Sequence, residues 1–362
     1  MNLKKKIKFK NLVKILTKIF IKKNLSKKNS IIIAKVLTFS EFFGIKTHGI
    51  SRLNAYLELI NTKRINTRPT IKKIKDRYAI TCVDADNSFG MIAAEYAMKI
   101  AVIKSKKFGI ACSSVRNSNH FGIAGYYSML AAKQNCIGIS MTNTSACVSV
   151  TRGKERMLGT NPLAIAIPID GKKFFLADFS TSSVSYGKIE SAIKQKKKIP
   201  KGWIIDKFGK DTTDPNVVNN GGTILPLGSD EEKGSYKGYS LGSFIDIMCG
   251  PLSNSAFLNL VPYFIAIKDH IKSKDRTISS KGSGHFFISI NINFFRDFNF
   301  FKKDMLKFIK IIKSSQRINR FSEILIPGEK ELNFFKKYQK EGILLDKNSQ
   351  KNLKEIFTDL NI

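Results

Sequence analysis

Two residues able to do acid–base and anion-binding chemistry, His48 and Arg52, stand four positions apart in KTHGISRL, at the start of a predicted helix. At this spacing, two side chains on a helix share one face, about 5–6 Å apart at Cβ, so both can enter one pocket. Arginine holds a carboxylate through two hydrogen bonds, and histidine exchanges protons near neutral pH. The pair therefore suits a site for a 2-hydroxy or 2-oxo acid, although a surface ion pair would explain the same spacing.

Histidine is rare in this chain, and its surroundings are uneven. Three of the four histidines, His48, His120 and His285, lie among Gly, Asn, Ser or Thr. Glycine beside polar residues marks places where the backbone turns tightly or a ligand comes close. These three are therefore candidate site residues, with turn or capping histidines as the alternative. The fourth, His270, lies in the charged segment IKDHIKSKD and is expected to be exposed.

The sequence lacks the common nucleotide-binding and nucleophile motifs. It contains no G-x-G-x-x-G after a predicted strand, no P-loop and no G-x-S-x-G. Hydroxyl-rich turns do follow apolar segments, in TNTSA, LGTNPLA, DFSTSS and PLGS. Their backbone N–H groups could face a pyrophosphate or merely connect elements. The five cysteines show no metal-ligand spacing, so no metal site is expected. The residues alone predict a ligand-binding α/β protein that acts on small acids.

These candidates sit on an alternation of helices and strands. Apolar periodicity predicts helices over the first 60 residues, with Ser26 as an N-cap and Gly44 as a helix end. A strand is predicted at 71–84 and a helix at 91–107, and the alternation continues to about residue 190, which indicates an α/β core. The later predicted elements are a turn-rich connection over 195–235, a helix in YKGYSLGSFIDIMCGPL, a strand in GHFFISINI and helices after residue 300.

The order of these elements predicts the domain organisation. The mainly helical residues 1–72 and 295–362 are expected to form one domain, which carries His48 and Arg52. Residues 73–294 are expected to form an α/β domain. No internal repeat and no linker-like segment interrupts the chain, so the helical segments should flank a single α/β core.

Charge and composition limit the partners and the location. The formal net charge is +34, but the excess is mainly Lys spread along the whole chain. This indicates a solvated basic surface rather than a specific nucleic-acid site. The basic N-terminal segment MNLKKKIKFKNLVKILTKIF lacks a cleavage-site pattern and an uninterrupted apolar core, so we interpret it as a folded helix. No apolar run reaches the length of a membrane span, and a cytoplasmic location is expected.

Ten segments occur in the order seen in one known family. They are THGISRL, NSNHFGIAGYYSMLAA, IGISMTNTSA, LGTNPLAIAIP, ADFSTSSVSYGKI, IPKGWIIDKFGKDTTDP, ILPLGS, YKGYSLGSFIDIMCGPLS, GHFFISI and IPGEKE. From about residue 10 to its C-terminus, the chain resembles the malate/L-lactate dehydrogenase family that lacks a Rossmann fold. This family includes sulfolactate, ureidoglycolate and diketogulonate enzymes. Ten motifs in order are far more specific than any one of them.

The resemblance implies a non-Rossmann, mixed-sheet α/β core that binds NAD(P), flanked by the helical domain. It implies NAD(P)-dependent interconversion of a 2-hydroxy acid and a 2-oxo acid in a homodimer, with NAD favoured over NADP. His48 matches the family's proton-transferring histidine, Arg52 its carboxylate-binding arginine and His120 a second pocket histidine. The positions that match cofactor-lining segments are Asn143, Thr144, Thr160, Asn161, Asp178, Ser180, Thr181, Ser182, Tyr236, Lys237, Gly284 and His285.

Three positions depart from the family pattern. Lys46 stands where the family usually has an acidic residue, and Val150 and Arg152 stand where a Pro and a Gly usually precede LGTNP. These changes alter a loop path and add positive charge near an anionic ligand. Two alternatives therefore stay open: a homologue that binds cofactor but has lost turnover, and a basic protein associated with nucleic acid, which only the charge supports.

Overall fold

The computed structural model of this chain describes residues 5–171, 173–264 and 281–361, so the predicted exposure of His270 lies outside the described residues. The helices of the described residues are α1 (Phe9–Lys22), α2 (Lys27–Phe42), α3 (Leu53–Asn61), α4 (Gly90–Phe108), α5 (Ala124–Ala132), α6 (Tyr186–Lys194), α7 (Ser235–Cys249), α8 (Phe298–Lys313), α9 (Glu329–Glu341) and α10 (Lys347–Leu360). The strands are β1 (Lys72–Arg77), β2 (Ile80–Asp84), β3 (Ile110–Ser118), β4 (Cys136–Thr142), β5 (Leu163–Asp170), β6 (Lys173–Phe179), β7 (Ile204–Ile205), β8 (Asp211–Thr212), β9 (Thr223–Ile224) and β10 (Ser283–Asn291).

The centre of the fold is a mixed sheet of seven strands in the order β1-β2-β3-β10-β4-β5-β6. Only β2 and β3 run parallel, joined through α4, and all other neighbours in this sheet are antiparallel. A Rossmann sheet is mostly parallel with helices between successive strands. The arrangement here confirms the predicted mixed-sheet α/β fold of non-Rossmann type.

Local signals define the helix boundaries that the sequence predicted. The Ser26 hydroxyl accepts a hydrogen bond from the Asn29 amide at 3.2 Å, which satisfies one free N–H at the start of α2. Gly44 and Gly109 follow α2 and α4 with φ of +77° and +83°, a backbone region that favours glycine. These predictions of a cap and of two helix ends are confirmed.

Two predictions about local structure were wrong. The single strand predicted at 71–84 is a hairpin, because the chain turns at Tyr78, whose φ is +43°. The connection at 195–235 contains a small three-stranded sheet, β8-β7-β9, built from strands of two residues each. Strands this short carry no periodicity, and no turn-type residue marks the hairpin at Tyr78.

One apolar core runs through the molecule. It joins Leu12 and Leu16 of α1, Met98 of α4, Phe287 of β10 and Leu353 of α10. The N- and C-terminal segments meet where α10 packs on α1 and α9 on α2, whereas α8 packs on β5. The division into a helical domain, 1–72 with 295–362, and an α/β domain, 73–294, stays a prediction because this core is continuous across the proposed boundary.

Candidate active site

A small cavity lies where the turn after α2, the loop after β3, the loop after β4 and helix α6 meet. Its volume is about 190 Å³. Typical pockets for drug-sized ligands are larger, roughly 300–1,000 Å³, so this cavity suits a small organic acid. Of the predicted site residues, it is lined by His48, Arg52, His120, Thr144 and Thr160. In the described residues, no group of three or more His, Cys, Asp or Glu side chains could hold a metal ion.

His48 and Arg52 do not share a helix, contrary to the spacing argument. They end two separate 3-10 turns, Lys46–His48 and Ile50–Arg52, which meet at Gly49. The buried carboxylate of Glu41 accepts a hydrogen bond from the Ile50 amide at 2.7 Å and holds this junction. A Cβ on Gly49 would lie 2.1 Å from Glu41 Oε1, so only glycine fits there. The two turns still direct both side chains to one cavity.

The two cavity histidines face each other with nearly parallel rings. Their ring centres are 5.8 Å apart, with an angle of 18° between the planes. His120 Nδ1 lies 2.6 Å from the Tyr56 hydroxyl and accepts a hydrogen bond from the Gly122 amide at 3.3 Å. An amide N–H can only donate, so this network assigns the ring proton of neutral His120 to Nε2. His48 Nδ1 lies 3.0 Å from the Thr47 hydroxyl, a partner that can donate or accept.

The surroundings keep both histidines neutral at physiological pH. Burial lowers the pKa of His48 to about 4, and the positive charge of Arg52 adds to the effect. Burial, then His48 and Arg52, hold the pKa of His120 well below its usual range. A neutral imidazole carries one N–H donor and one acceptor, which is the form needed to give or take a substrate proton.

Arg52 is already bound to a carboxylate of its own chain. Its Nη2 lies 2.6 Å from Glu190 Oε2 and its Nη1 3.3 Å from Oε1, while its Nε donates to the Thr47 carbonyl at 2.7 Å. Glu190 projects from α6, far along the chain from Arg52. The guanidinium is therefore oriented with its two-pronged edge toward a carboxylate, and a substrate acid at this place would share it with Glu190 or displace Glu190.

Among the predicted cofactor residues, only two reach this cavity. The hydroxyls of Thr144 and Thr160 lie 3.4 Å apart in its wall. Asn143 and Asn161 are buried behind them, where Asn143 donates to Asp246 and Asn161 accepts from the Thr144 amide. The buried Thr181 hydroxyl likewise donates to the carbonyls of Thr160 and Asn161. These buried side chains hold the loops that carry the cavity residues.

The strand β10 places its predicted residues in the interior. His285 is fully buried, with Nδ1 2.7 Å from the Thr142 hydroxyl and Nε2 2.8 Å from the Ser118 hydroxyl. Both ring nitrogens are therefore occupied by neighbours in the sheet. A Cβ on Gly284 would lie 1.7 Å from the Cys249 carbonyl oxygen, so glycine is needed there for close packing.

The remaining predicted cofactor residues lie apart from the small cavity. Asp178 lines a different, larger cavity, where it accepts a hydrogen bond from the Gly125 amide at 2.8 Å. The hydroxyls of Ser180 and Ser182 lie 3.1 Å from each other. The other two residues, Tyr236 and Lys237, are exposed in the first turn of α7.

Residues that sequence reasoning missed complete the cavity. Tyr56 orients His120, Glu41 holds the turn between the two 3-10 segments, Glu190 binds Arg52, and Arg156 and Tyr186 line the wall. A tyrosine on a helix or an arginine in a loop has no distinctive spacing. Only the tertiary fold brings these residues together, so no local signal could have identified them.

The departures from the family pattern lie outside the small cavity. Lys46 is exposed, and the exposed Arg152 pairs with Glu231 at 2.7 Å. Arg152 has φ of +66° in a turn closed by a bond from the Gly153 amide to the Val150 carbonyl. This conformation explains why a glycine suits position 152. The added charge at these positions is therefore solvated or paired on the surface.

The fold and the cavity together define a site for acid–base chemistry on a small carboxylate, within a mixed-sheet α/β protein. The sequence profile described as Malate/L-lactate dehydrogenase matches residues 7–354, and the chain belongs to this family of oxidoreductases, whose dehydrogenases use nicotinamide cofactors. Its relatives include the malate dehydrogenase of Pyrococcus abyssi, 39% identical over 96% of this chain and 92% of that protein. The L-sulfolactate dehydrogenase of Methanocaldococcus jannaschii is 38% identical over 91% of this chain and 90% of its own length. The crystal structure of malate dehydrogenase from Entamoeba histolytica superposes with a TM-score of 0.91 at 34% identity, covering 99% of this chain and 98% of that one.

Proposed function

We propose that this protein is an NAD(P)-dependent 2-hydroxy-acid dehydrogenase that interconverts a malate- or lactate-like hydroxy acid and its 2-oxo acid. The observation that carries the proposal is the meeting of His48, His120 and Arg52 in one small cavity. Two neutral imidazoles beside an arginine provide a proton carrier and a carboxylate anchor within reach of the same small acid.

In this proposal, each of the three residues has a distinct task. Arg52 binds the substrate carboxylate and so fixes the position of the neighbouring carbon. His120, with its proton held on Nε2 by the partners of Nδ1, donates a hydrogen bond to the substrate oxygen. His48 exchanges the proton with that oxygen, because the Thr47 hydroxyl can accompany either tautomer of its ring.

Two features fit a nicotinamide cofactor. The hydroxyls of Thr144 and Thr160 in the cavity wall could bind the polar edge of the ring, and Lys237 has no carboxylate partner within the described residues, so its ammonium could bind a cofactor phosphate. When bound, the nicotinamide supplies or accepts a hydride at the substrate carbon. We favour NAD over NADP, and we propose a homodimer in the cytoplasm.

The test is to follow NADH and NADPH absorbance with a panel of 2-oxo acids. We expect oxidation of the reduced cofactor with at least one acid, and faster turnover with NADH than with NADPH. Saturable cofactor binding without turnover for any acid would instead support a homologue that has lost activity. Absence of both turnover and cofactor binding would reject the proposal.

A further inference from the structure

A second arginine lines the same cavity as Arg52. Arg156 comes from the loop between β4 and β5, and its guanidinium is held by backbone carbonyls rather than by acids. Its Nε donates to the Gly222 carbonyl at 3.0 Å, and its Nη2 donates to the carbonyls of Gly222 and Val218. Within the described part of the chain, its Nη1 donates no hydrogen bond. The side chain is therefore fixed in place with one end available to a ligand.

The charges of the two arginines are not equivalent. The charge of Arg52 is balanced by Glu190 at 2.6 Å, whereas no carboxylate in the described residues pairs with Arg156. Because the cavity histidines are neutral, the lining as a whole carries one unbalanced positive charge, at Arg156. A partly buried cation held only by carbonyl dipoles favours an anion from outside the chain.

Both arginines act on one cavity side chain, which indicates that they border the same space. Burial raises the pKa of the Tyr186 hydroxyl, while the charges of Arg156 and Arg52 oppose that rise. Arg156 has the same opposing effect on Cys147, another lining residue. A small acid in the cavity can therefore meet a guanidinium at each of two places.

We propose that Arg156 binds a second acid group of the substrate, and that the enzyme selects 2-oxo acids with an anion at the far end over monoacids. This inference rests on the proposed dehydrogenase function. One substrate carboxylate lies at Arg52, the carbonyl lies at the histidines and the second anion, a carboxylate or a sulfonate, lies at Arg156. Hydrogen bonds between charged partners of this kind change affinity by about 10- to 100-fold.

The test compares three substrates in wild type and in Arg156→Gln: oxaloacetate, 3-sulfopyruvate and pyruvate, each with saturating cofactor. We expect the variant to lose about 10- to 100-fold in kcat/KM for the preferred dianion, mainly through KM, and to change less than about threefold with pyruvate. The better of the two dianions identifies the acid group. Arg156→Lys, which keeps the charge, should retain part of the preference.

A substrate-side measurement covers the case in which Arg156→Gln does not fold. The C4 methyl ester of oxaloacetate has nearly the same shape and lacks the second charge. Wild-type enzyme should use it about 10- to 100-fold less efficiently than oxaloacetate. Equal use of ester and acid, or an equal loss for pyruvate and the dianions in Arg156→Gln, would overturn the role of Arg156 while leaving the dehydrogenase proposal intact. No turnover with any acid would overturn both.

Discussion

At the scale of single residues, the two cavity histidines differ in how their hydrogen bonds are arranged. Tyr56 and Gly122 both address Nδ1 of His120, whereas His48 has only the adjacent Thr47 hydroxyl on that side. A ring that can change its tautomer is better suited to carry a proton through the reaction than a ring held in one. The geometry therefore favours His48 as the proton carrier.

Substituting His48 by Asn tests this assignment. Asn keeps a hydrogen bond but cannot exchange a proton, so kcat should fall by about 10²–10⁴-fold while cofactor binding persists. His120→Asn is the matched control and should retain the pH dependence of kcat that His48→Asn loses. If the pH profiles behave the other way round, the two roles are reversed. The measurement is steady-state kinetics across pH.

Substituting Arg52 by Lys tests the carboxylate anchor. Lys keeps the charge and loses the two-pronged geometry, so kcat/KM should fall by about 10- to 100-fold with nearly unchanged affinity for NADH. Glu190→Gln, which alters the partner of Arg52 and not Arg52 itself, should cause a smaller loss. Unchanged kinetics in Arg52→Lys would remove this residue from substrate binding.

Buried ionisable residues should make stability depend on pH. Burial lowers the pKa of His285 from 6.5 to about 3, so the unfolded chain binds more protons between these values. The free energy of unfolding therefore falls as pH falls through this window, by up to about 2 kcal/mol between about pH 7 and 5 for one such group. Glu41 acts in the opposite direction: burial raises its pKa from 4.5 to about 7, so its contribution is lost as pH rises.

Two variants separate these opposing contributions. The urea midpoint of His285→Gln should drop less than that of wild type between pH 7 and 5, because a residue that resists protonation is gone. The midpoint of Glu41→Gln should drop more, because the group that stabilises the fold on acidification is gone. Parallel pH dependence in all three proteins would contradict the assigned shifts.

At the scale of elements, the segment 46–52 is positioned by a contact from α2. The Glu41 carboxylate fills the space beside Gly49, and the Ser51 hydroxyl donates to the Lys46 carbonyl at 2.6 Å. Two 3-10 turns in place of one helix allow His48 and Arg52 to approach the cavity from successive short turns. The position of these two side chains therefore depends on the fit between Gly49 and Glu41.

Replacing Gly49 by Ala should disturb this segment. The added Cβ would lie 2.1 Å from Glu41 Oε1, and relieving such overpacking costs roughly 1–3 kcal/mol. We expect lower thermal stability together with a loss in kcat/KM. Gly171→Ala in the β5–β6 turn is the control, because no atom lies within 4 Å of its added Cβ, and it should leave kcat/KM unchanged. Equal kinetics for both variants would contradict this positioning role.

At the scale of the whole molecule, one face of α7 exposes apolar side chains. Tyr236, Phe244 and Ile247 lie on this face and are 51%, 49% and 56% exposed. Contiguous exposed apolar surface of this kind commonly marks a protein–protein interface. Among the described helices, none is both long enough and apolar enough to cross a membrane, so a partner chain is the interpretation we adopt for this face.

Replacing Phe244 and Ile247 together by Asp tests the homodimer. Two charges in an apolar interface cost more than they would in water, so the variant should elute as a monomer where wild type is a dimer. Phe308→Asp on α8 replaces a side chain of similar exposure, 50%, and should keep the wild-type mass. Light scattering after gel filtration gives the masses directly, and a wild-type monomer would reject the dimer.

Sequence alone determined the elements whose causes are local. Apolar periodicity, the Ser26 cap and the glycines after α2 and α4 are signals read within a few residues, and ordered motifs identified the family. The sequence also drew attention to His48, Arg52 and His120 as candidate site residues, although their roles stay predictions.

Only the tertiary structure decided how those residues are held. The place of β10 between β3 and β4 joins strands far apart in the chain, and no spacing announces it. The contacts of Glu190 with Arg52, of Tyr56 with His120 and of Glu41 with the 46–52 segment likewise join residues from different elements. Such contacts depend on where whole elements pack, and the free energy of packing is distributed over the core rather than written in any local pattern.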